Sequence, residues 1–324
     1  MIRLRRRALA PALLSVCALR GVRADTWPTR AISWIVPFTP GGITDTSARL
    51  VGQGLAARIG QQVVIDNRPG AGGSIGTEAA ARAAPDGHTI LYGTQGTLAV
   101  NPVLYRNFRY DPQRDLVGVH GLTWTPNLVV ANPNKPFRDM RGLVAHARAH
   151  PAEVTFATSG IGTGTHLAAE LFQIVTDTRM THVPYTGSAP ALNDLVGGRT
   201  DIMFDYVIST RAHVESGRLR ALAITGRERL ATLPDVPTIG EAGFPEAESG
   251  SWSGIYAPAA TPAPIVARMA RELGAVLSEP RVRETLAATG GSPLMLSGDA
   301  LRDHLAEEVV RWRRIIEQAG IRIG

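Results

Sequence analysis

Short apolar runs alternate with amphipathic stretches along almost the whole chain of 324 residues, and this alternation restricts the fold more than any other feature. Residues 32–38 are typical of a buried strand, and residues 44–59 repeat apolar side chains at helical spacing before Gly60. The further predicted strands are 62–65, 89–93, 128–131, 154–158, 180–183, 201–204, 219–225 and 251–257, and the further predicted helices are 74–82, 140–150, 165–176, 188–196, 264–277, 281–288 and 299–319. This order predicts an α/β fold with mainly parallel strands, and the length predicts about two domains.

The excess positive charge is confined to the N-terminus. Residues 1–24 contain six arginines and no acid, which accounts for the whole formal charge of +6 and leaves the rest of the chain neutral. A neutral chain does not favour a nucleic-acid partner. The arginines precede an apolar stretch that is too short to span a bilayer, a pattern typical of a signal peptide, here cleaved after Ala24. We therefore expect a periplasmic protein, exported by the Sec or the twin-arginine route. The only cysteine, Cys17, lies in this segment, so the mature chain would have neither disulfides nor thiolate chemistry.

A glycine-containing loop separates the first predicted strand from the first predicted helix. Its residues are Phe38, Thr39, Pro40, Gly41, Gly42, Ile43, Thr44 and Asp45. Glycine allows the backbone to approach a ligand closely, and a helix N-terminus offers unpaired N–H donors, so the loop predicts a seat for an anion. The nucleotide-binding phosphate loop is excluded because no lysine is present. Asp45 is interpreted as a helix cap, as a group that orients water, or as a partner for a ligand ammonium group. A β-branched residue at Gly42 is expected to strain the loop and occlude the seat.

A second loop repeats this order of strand, glycines and helix. Its residues are Ser159, Gly160, Ile161, Gly162, Thr163, Gly164, Thr165 and His166. Two such loops in separate halves of a chain can face each other across a cleft. Thr165 stands where a dinucleotide-binding fingerprint requires its third glycine, so no cofactor is predicted.

Other candidate residues have both a structural and a chemical interpretation. Ser159 and His166 together suggest a hydrolase, although the nucleophile elbow of such enzymes is absent and His166 at a helix start can simply bond the backbone. Asp201 and Asp205 could share one face of a strand as a carboxylate pair. The remaining histidines lack metal-ligand spacing, so no metal site is predicted. Residues 70–74 are interpreted as a turn or a third anion contact, and Ser74 and Ser188 as helix caps.

An ordered set of motifs resembles the Bug family, the periplasmic receptors related to the binding component of tripartite tricarboxylate transporters. The resemblance runs from Trp27 to about Ile321. The matching segments are Ile35-Val36-Pro37-Phe38 with Pro40-Gly41-Gly42 and Asp45, residues 67–73, Pro85-Asp86-Gly87, Gly93-Thr94 with Asn101-Pro102, Ser159-Gly160 running into His166-Leu167-Ala168, Val183-Pro184-Tyr185 with residues 187–191, residues 233–238, and Ala242-Gly243.

The resemblance implies a two-lobed periplasmic-binding-protein fold, with each lobe a mainly parallel sheet flanked by helices and the lobes joined by crossing strands. Lobe 1 would combine residues 25–124 with 251–324, and lobe 2 would span 125–250. The implied ligand contacts are Phe38, Thr39, Gly41, Gly42, Thr44, Asp45, Thr94 and Gln95 from lobe 1, and Ser159, Gly160, Thr163, Gly164, Thr165, His166 and Asp205 from lobe 2. Thr39, Gln95 and Tyr206 depart from the residues common in the family, which affects the identity of the ligand.

The function predicted from both lines of reasoning is capture of a small organic anion, a carboxylate or dicarboxylate, by closure of the lobes around it. We expect no catalysis; a periplasmic hydrolase that uses Ser159 and His166 is the alternative. The predicted partners are the organic acid and, for the closed protein, a tripartite transporter membrane component or a membrane sensor. We expect the chain to be a monomer.

Overall fold

The computed structural model describes residues 27–105 and 108–321, which form a curled sheet with helices on both faces. The strands are β1 (Ile32–Val36), β2 (Val63–Asn67), β3 (Thr89–Thr94), β4 (Leu116–Ala131), β5 (Thr155–Thr158), β6 (Thr181–Pro184), β7 (Ile202–Tyr206), β8 (Arg220–Ile224), β9 (Gly250–Pro258) and β10 (Ser292–Pro293). The helices are α1 (Ile43–Ile59), α2 (Ser74–Ala81), α3 (Asn101–Leu104), α4 (Pro112–Asp115), α5 (Met140–Ala149), α6 (Gly164–Thr176), α7 (Ser188–Val196), α8 (Val207–Glu215), α9 (Ala263–Leu277), α10 (Pro280–Ala288) and α11 (Gly298–Gln318). The predicted α/β class is confirmed.

The sheet contains two parallel groups of strands that are joined by two longer antiparallel strands. β2, β1 and β3 form one parallel group, and β7, β5 and β6 form the other. β9 pairs with β3 and with the first part of β4, whereas the end of β4 pairs with β7 and β8. In parallel sheets, ligands bind beyond the carboxyl ends of the strands. A ligand site is therefore expected at the loops that follow β1, β3, β5 and β7.

Helices cover both faces of each parallel group, as the alternating side chains of the strands require. On β1, Trp34 points into one buried apolar cluster and Ile35 into another. On β5, Phe156 and Ala157 are divided between two further clusters in the same way. Because successive side chains of a strand point to opposite faces, a strand buried on both sides reads as a continuous apolar run. This is why the strands were recognisable in the sequence.

Helix α6 packs against both halves of the sheet. Its Phe172 lies in the cluster that also contains Phe204 of β7. Its Leu167 and Leu171 lie instead in the cluster that contains Trp252 of β9. The loop at the start of α6 is thereby held beside residues of the other half.

The short elements α3, α4 and β10 were not predicted, and two longer segments also differ from the sequence-based prediction. β4 begins at Leu116, well before the predicted strand 128–131. Its early part contains Gly118 and Gly121 beside shifts in the pairing register with β9, and glycines at such bulges resemble a loop in the sequence. Helix α8 was not predicted because only its Val207 and Thr210 are buried, and such β-branched residues favour strands.

The predicted signal peptide, residues 1–24 with Cys17, lies outside the described residues. Among residues 27–105 and 108–321, no helix combines the length and the apolar character that a membrane crossing requires. The same residues contain no group of three or more His, Cys, Asp or Glu side chains arranged to hold a metal ion.

Candidate functional site

The loop after β1 leads into α1 without a capping side chain. The N-cap residue is Gly42, and no side chain within the described residues accepts a hydrogen bond at this cap. The preceding Gly41 has φ +83°, a conformation that favours glycine, and a Cβ built there would meet no atom within 4 Å. The exposed loop thus leaves the first N–H groups of α1 available, and such a helix N-terminus favours a negatively charged partner.

The expectation that a β-branched residue at Gly42 strains this loop is wrong. Gly42 has φ −76° and ψ 173°, an extended conformation that any residue adopts. A Cβ at Gly42 would have its nearest neighbour, the backbone oxygen of Thr39, at 3.8 Å. A larger side chain at Gly42 can occupy this place without distorting the backbone. A side chain at Gly41 would instead strain the backbone, because Gly41 has φ +83°.

Asp45 is engaged within the loop and does not serve as the N-cap of α1. One carboxylate oxygen accepts a hydrogen bond from Gly41 N at 2.9 Å and another from Arg49 Nε at 3.0 Å. The hydrogen bond from Arg49, together with that from Gly41, lowers the pKa of Asp45 to about 2. The carboxylate is therefore ionised and neutralised by Arg49, and it fixes the conformation of the loop.

The loop at Phe38 lies beside the segment that follows β3. Asn67 Nδ2 donates to Phe38 O at 3.1 Å, which ties the loop to the end of β2. A Cβ built at Gly73 would lie 2.7 Å from the Thr97 methyl group and 3.2 Å from the Phe38 ring, so Gly73 brings these two side chains together. Thr97 Oγ1 accepts a hydrogen bond from Thr94 N at 3.0 Å. The structure therefore brings the predicted residues Phe38 and Thr94 into one region. Thr39 is exposed and Thr44 half-buried in the same loop.

Residues 70–74 form a tight turn before α2, in agreement with the first of the two interpretations given for them. The residues from Ala71 to Gly73 form a single 3-10 turn, and α2 starts at Ser74 with Gly73 as its N-cap. The prediction that Ser74 caps this helix is wrong, because Ser74 is its first helical residue and its Oγ accepts from Asn101 Nδ2 at 3.2 Å.

The loop after β5 is held by side-chain hydroxyl groups. Thr163 is the N-cap of α6, and its Oγ1 accepts from His166 N. The hydroxyl of Thr165 lies 2.9 Å from those of Ser159 and Thr163, and Thr165 Oγ1 also accepts from Ser159 N. Gly160, with φ +139°, allows the turn that Thr163 Oγ1 closes by donating to Gly160 O at 2.7 Å. Three hydroxyl groups therefore converge at the start of α6.

His166 stabilises the backbone of this loop. Its Nδ1 accepts a hydrogen bond from Gly162 N at 3.1 Å, and its Nε2 lies 3.3 Å from Glu170 Oε1. The ring stacks on His182 with centroids 4.0 Å apart. Burial, with a smaller contribution from His166, lowers the pKa of His182 to about 4. Both ring nitrogens of His166 have partners other than Ser159, whose hydroxyl bonds threonines, so the geometry of a serine–histidine hydrolase is not formed.

Asp205 is a buried carboxylate at the end of β7, where α7 and α8 begin. Its Oδ1 accepts from Ser188 Oγ and Tyr206 N, whereas its Oδ2 has no hydrogen-bond partner in the described part of the chain. Burial raises the pKa of Asp205 to about 6. Ser188 was predicted to be a cap, but the N-cap of α7 is Gly187 and Ser188 donates to Asp205 instead. Asp201 bonds Thr155, so the two aspartates do not form a pair.

Gly164 is the point at which the second loop meets the other half of the sheet. A Cβ built at Gly164 would lie 2.3 Å from Ser251 Oγ, 2.9 Å from Tyr206 Oη and 3.7 Å from Gln95 Oε1. Tyr206 Oη and Ser251 Oγ are themselves 2.7 Å apart. Sequence reasoning found Gln95 and Gly164 but missed Ser251, which belongs to a predicted strand and carries no distinguishing signal.

The residues gathered here offer many donors and few charges. The segments 38–45, 94–97 and 159–166 contain no lysine or arginine. An anion at these loops would be held by backbone N–H groups and hydroxyl groups, in the manner of anion-binding helix termini.

The chain is similar to known proteins over most of its length. The family described as tripartite tricarboxylate transporter family receptor matches residues 47–321. Protein BugT of Bordetella pertussis is 38% identical over 303 residues, which cover 93% of this chain and 93% of BugT. The structure of Rpa4515 from R. palustris with adipate has a TM-score of 0.79 and 37% identity, and it covers 91% of this chain and 99% of that chain. MatC from Rhodopseudomonas palustris, solved with bound malate, has a TM-score of 0.73 and 34% identity and covers 90% of this chain and 100% of that chain. The two-lobed periplasmic-binding-protein fold is thus confirmed, and the chain belongs to the tripartite tricarboxylate transporter receptor family, together with the Bug proteins.

Proposed function

We propose that this protein is an exported solute-binding receptor that captures a small organic anion, a carboxylate or dicarboxylate, for uptake or sensing. The observation that carries the proposal is the pair of glycine loops after β1 and β5. Each leads into a helix N-terminus, neither contains a lysine or an arginine, and one exposes its N–H groups without a capping side chain. Relatives solved with adipate and with malate support a carboxylate as the ligand.

The lobes in this proposal are residues 25–124 with 251–324, and residues 125–250. β9 pairs along its length with the first part of β4, and these are the strands that connect the two parallel groups. The boundary at 124/125 falls within β4, shortly before the residues that pair with β7. Bending of these two strands is then the motion that opens and closes the cleft between the loops.

Closure brings the start of α6 onto lobe 1. Gly164 lies against Ser251 and Gln95, and Leu167 and Leu171 pack with Trp252, so closure buries apolar area as well as polar groups. A ligand stabilises this state only through contacts that it makes better in the closed state than in the open one. A carboxylate that bridges the N-termini of α1 and α6 satisfies this condition.

In this proposal the protein is exported to the periplasm and binds its ligand without catalysing a reaction. The arginine-rich segment 1–24 would direct the chain to the periplasm and be cleaved after Ala24. The pairing of His166 with Gly162 and Glu170 supports binding without turnover. The closed monomer would then be recognised by a tripartite transporter membrane component or by a membrane sensor.

The test is a thermal-shift panel on the chain from Asp25 with di- and tricarboxylates, acidic amino acids and aromatic acids. A ligand at about 100 times its Kd stabilises the folded state by about 2.7 kcal/mol, which raises the melting temperature measurably. The panel is repeated after unfolding and refolding, which removes any ligand that co-purified. If no acid shifts the refolded protein, carboxylate capture is wrong.

A further inference from the structure

Gln95 lies at the junction of the two lobes and its side-chain amide is held on one side. The residue follows Thr94 at the end of β3 and is 3% exposed. Its Nε2 donates to Gly250 O at 3.1 Å and to Glu308 Oε2 at 3.2 Å. Both partners are acceptors, so the hydrogen bonds that this side chain makes use its nitrogen.

Glu308 of α11 fixes which end of the amide faces it. The same Oε2 accepts from Trp252 Nε1 and from Trp312 Nε1, each at 2.7 Å. An indole N–H can only donate, so this oxygen must act as an acceptor. If the Gln95 amide were turned over, its oxygen would face a carboxylate oxygen and a carbonyl oxygen, and both acceptors would lose a donor. The chemistry of the partners therefore determines the orientation of the amide.

The amide oxygen consequently faces the start of α6. Gln95 Oε1 lies 3.7 Å from the position that a Cβ of Gly164 would take, beside Tyr206 Oη and Ser251 Oγ. An amide oxygen accepts hydrogen bonds and cannot donate them, and an ionised carboxylate is also only an acceptor. This atom is unsuited to a carboxylate oxygen and suited to a hydroxyl or amino group of the same ligand.

We propose that Gln95 is a specificity residue whose fixed side-chain oxygen selects organic anions that carry a hydroxyl or amino group close to a carboxylate. Glu308 is a positioning residue, because it holds the Gln95 amide in the orientation that presents this oxygen. The inference rests on the proposed function: the helix N-termini hold the carboxylate, and Gln95 reads the neighbouring substituent.

The experiment compares acids that differ by one donor group, namely succinate with malate and with aspartate, and adipate with 2-hydroxyadipate. Binding to the refolded chain from Asp25 is measured by titration calorimetry. Because a site built to accept a donor leaves a buried acceptor unpaired when the donor is missing, the donor-bearing member should bind at least ~tenfold more tightly in a pair that binds. If the acids without a donor bind equally well or better, the protein is still a carboxylate receptor but the inference about Gln95 is wrong. If none of these acids or the wider panel binds, the proposed function itself fails.

Two variants assign the preference to Gln95. Gln95→Met removes the acceptor and keeps the length of the side chain, and it should weaken binding of the donor-bearing acid about tenfold while changing that of its partner less than about threefold. Glu308→Met removes one of the two acceptors that fix the orientation of the Gln95 amide and should reduce the same ratio. Gln113→Met, at an exposed position on α4, is the matched control and should leave the ratio unchanged. A merely structural role for Gln95 would weaken both acids equally and overturn the proposal.

Discussion

The two glycine loops have the same order of strand, glycines and helix, but they satisfy their helix termini in different ways. The loop after β1 leaves α1 without a side-chain cap, and its Asp45 binds Gly41 N and Arg49. The loop after β5 caps α6 with Thr163 and adds the hydroxyl groups of Ser159 and Thr165. The first loop therefore offers free backbone donors, whereas the second offers hydroxyl groups on a braced backbone. One sequence pattern thus leads to an uncapped helix N-terminus at α1 and to a helix N-terminus capped by a side chain at α6.

The largest effect is expected where the second loop meets the first lobe. In Gly164→Val, the new Cβ would lie 2.3 Å from Ser251 Oγ and 2.9 Å from Tyr206 Oη, so the two halves cannot approach as they do here. We expect ligand affinity to fall more than about 100-fold, which corresponds to about 2.7 kcal/mol. Calorimetry with the tightest acid of the panel measures the loss, and small-angle scattering should show a more extended particle.

Gly240→Ala is the matched control for this variant. A Cβ at Gly240 has its nearest neighbour, Thr238 Oγ1, at 3.8 Å, so the change should be neutral. Ligand affinity in Gly164→Val within a factor of three of the unaltered protein would show that the contact at Gly164 is not part of the binding state.

The aspartates associated with the two regions should respond to pH in opposite ways. Burial raises the pKa of Asp205 to about 6 from 3.8, so between these values the folded protein keeps a proton that the unfolded chain releases. The contribution of Asp205 to the unfolding free energy therefore falls as the pH rises from about 4 to about 6. Asp45, whose pKa is lowered to about 2, stabilises the fold above pH 4, and this contribution is lost as the pH falls through 2.

Asp205→Asn tests this difference in the protein without ligand. The variant should be more stable than the unaltered protein at pH 7 by about 2 kcal/mol and should lose the advantage near pH 4, because the neutral amide avoids the buried charge. Urea unfolding at pH 4, 5, 6 and 7 measures the trend. Asp303→Asn, at an exposed position on α11, is the control, and an Asp205→Asn curve parallel to that of the unaltered protein would contradict the assignment.

Neighbouring glycines in the first loop should separate binding from strain. Gly42→Val should lower ligand affinity about tenfold, or 1.4 kcal/mol, with unchanged stability, because the side chain enters the seat from an unstrained backbone. Gly41→Ala should instead cost about 1–2 kcal/mol of stability, because its φ is +83°. Calorimetry and urea unfolding give the two quantities.

Gly60→Ala is the control that introduces backbone strain at a positive φ away from the loop after β1. Gly60 has φ +72° at the end of α1, and a Cβ there meets no atom within 4 Å. It should match Gly41→Ala in lost stability and match the unaltered protein in affinity. Equal losses of affinity in Gly42→Val and Gly60→Ala would exclude the N-terminus of α1 as the seat.

The sequence was sufficient for most of the longer strands and helices and for the position of the two glycine loops, because apolar periodicity and glycines are local signals. It was insufficient where the outcome depends on distant contacts. Gly164 can lie close to Ser251 because it has no Cβ, and three side chains donate hydrogen bonds to Glu308. Both arrangements join segments that are far apart in the chain. The caps expected at Ser74 and Ser188 failed for the same reason: each serine found a tertiary partner, Asn101 or Asp205, that no local pattern indicates.

The smallest effect concerns the cap that distinguishes the second loop from the first. Thr163→Ala removes the acceptor for His166 N and the hydrogen bond to Gly160 O, and it should cost about 1 kcal/mol of stability. Thr163→Ser keeps both bonds and should restore most of the loss, whereas Thr285→Ala, on the exposed side of α10, should cost less. Urea unfolding of the three variants measures the differences. If Thr163→Ala is as stable as the unaltered protein, the Thr163 hydroxyl group does not stabilise this loop. If stability falls as expected, the two loops also differ in energy, because the Thr163 hydroxyl group stabilises the backbone of the second loop.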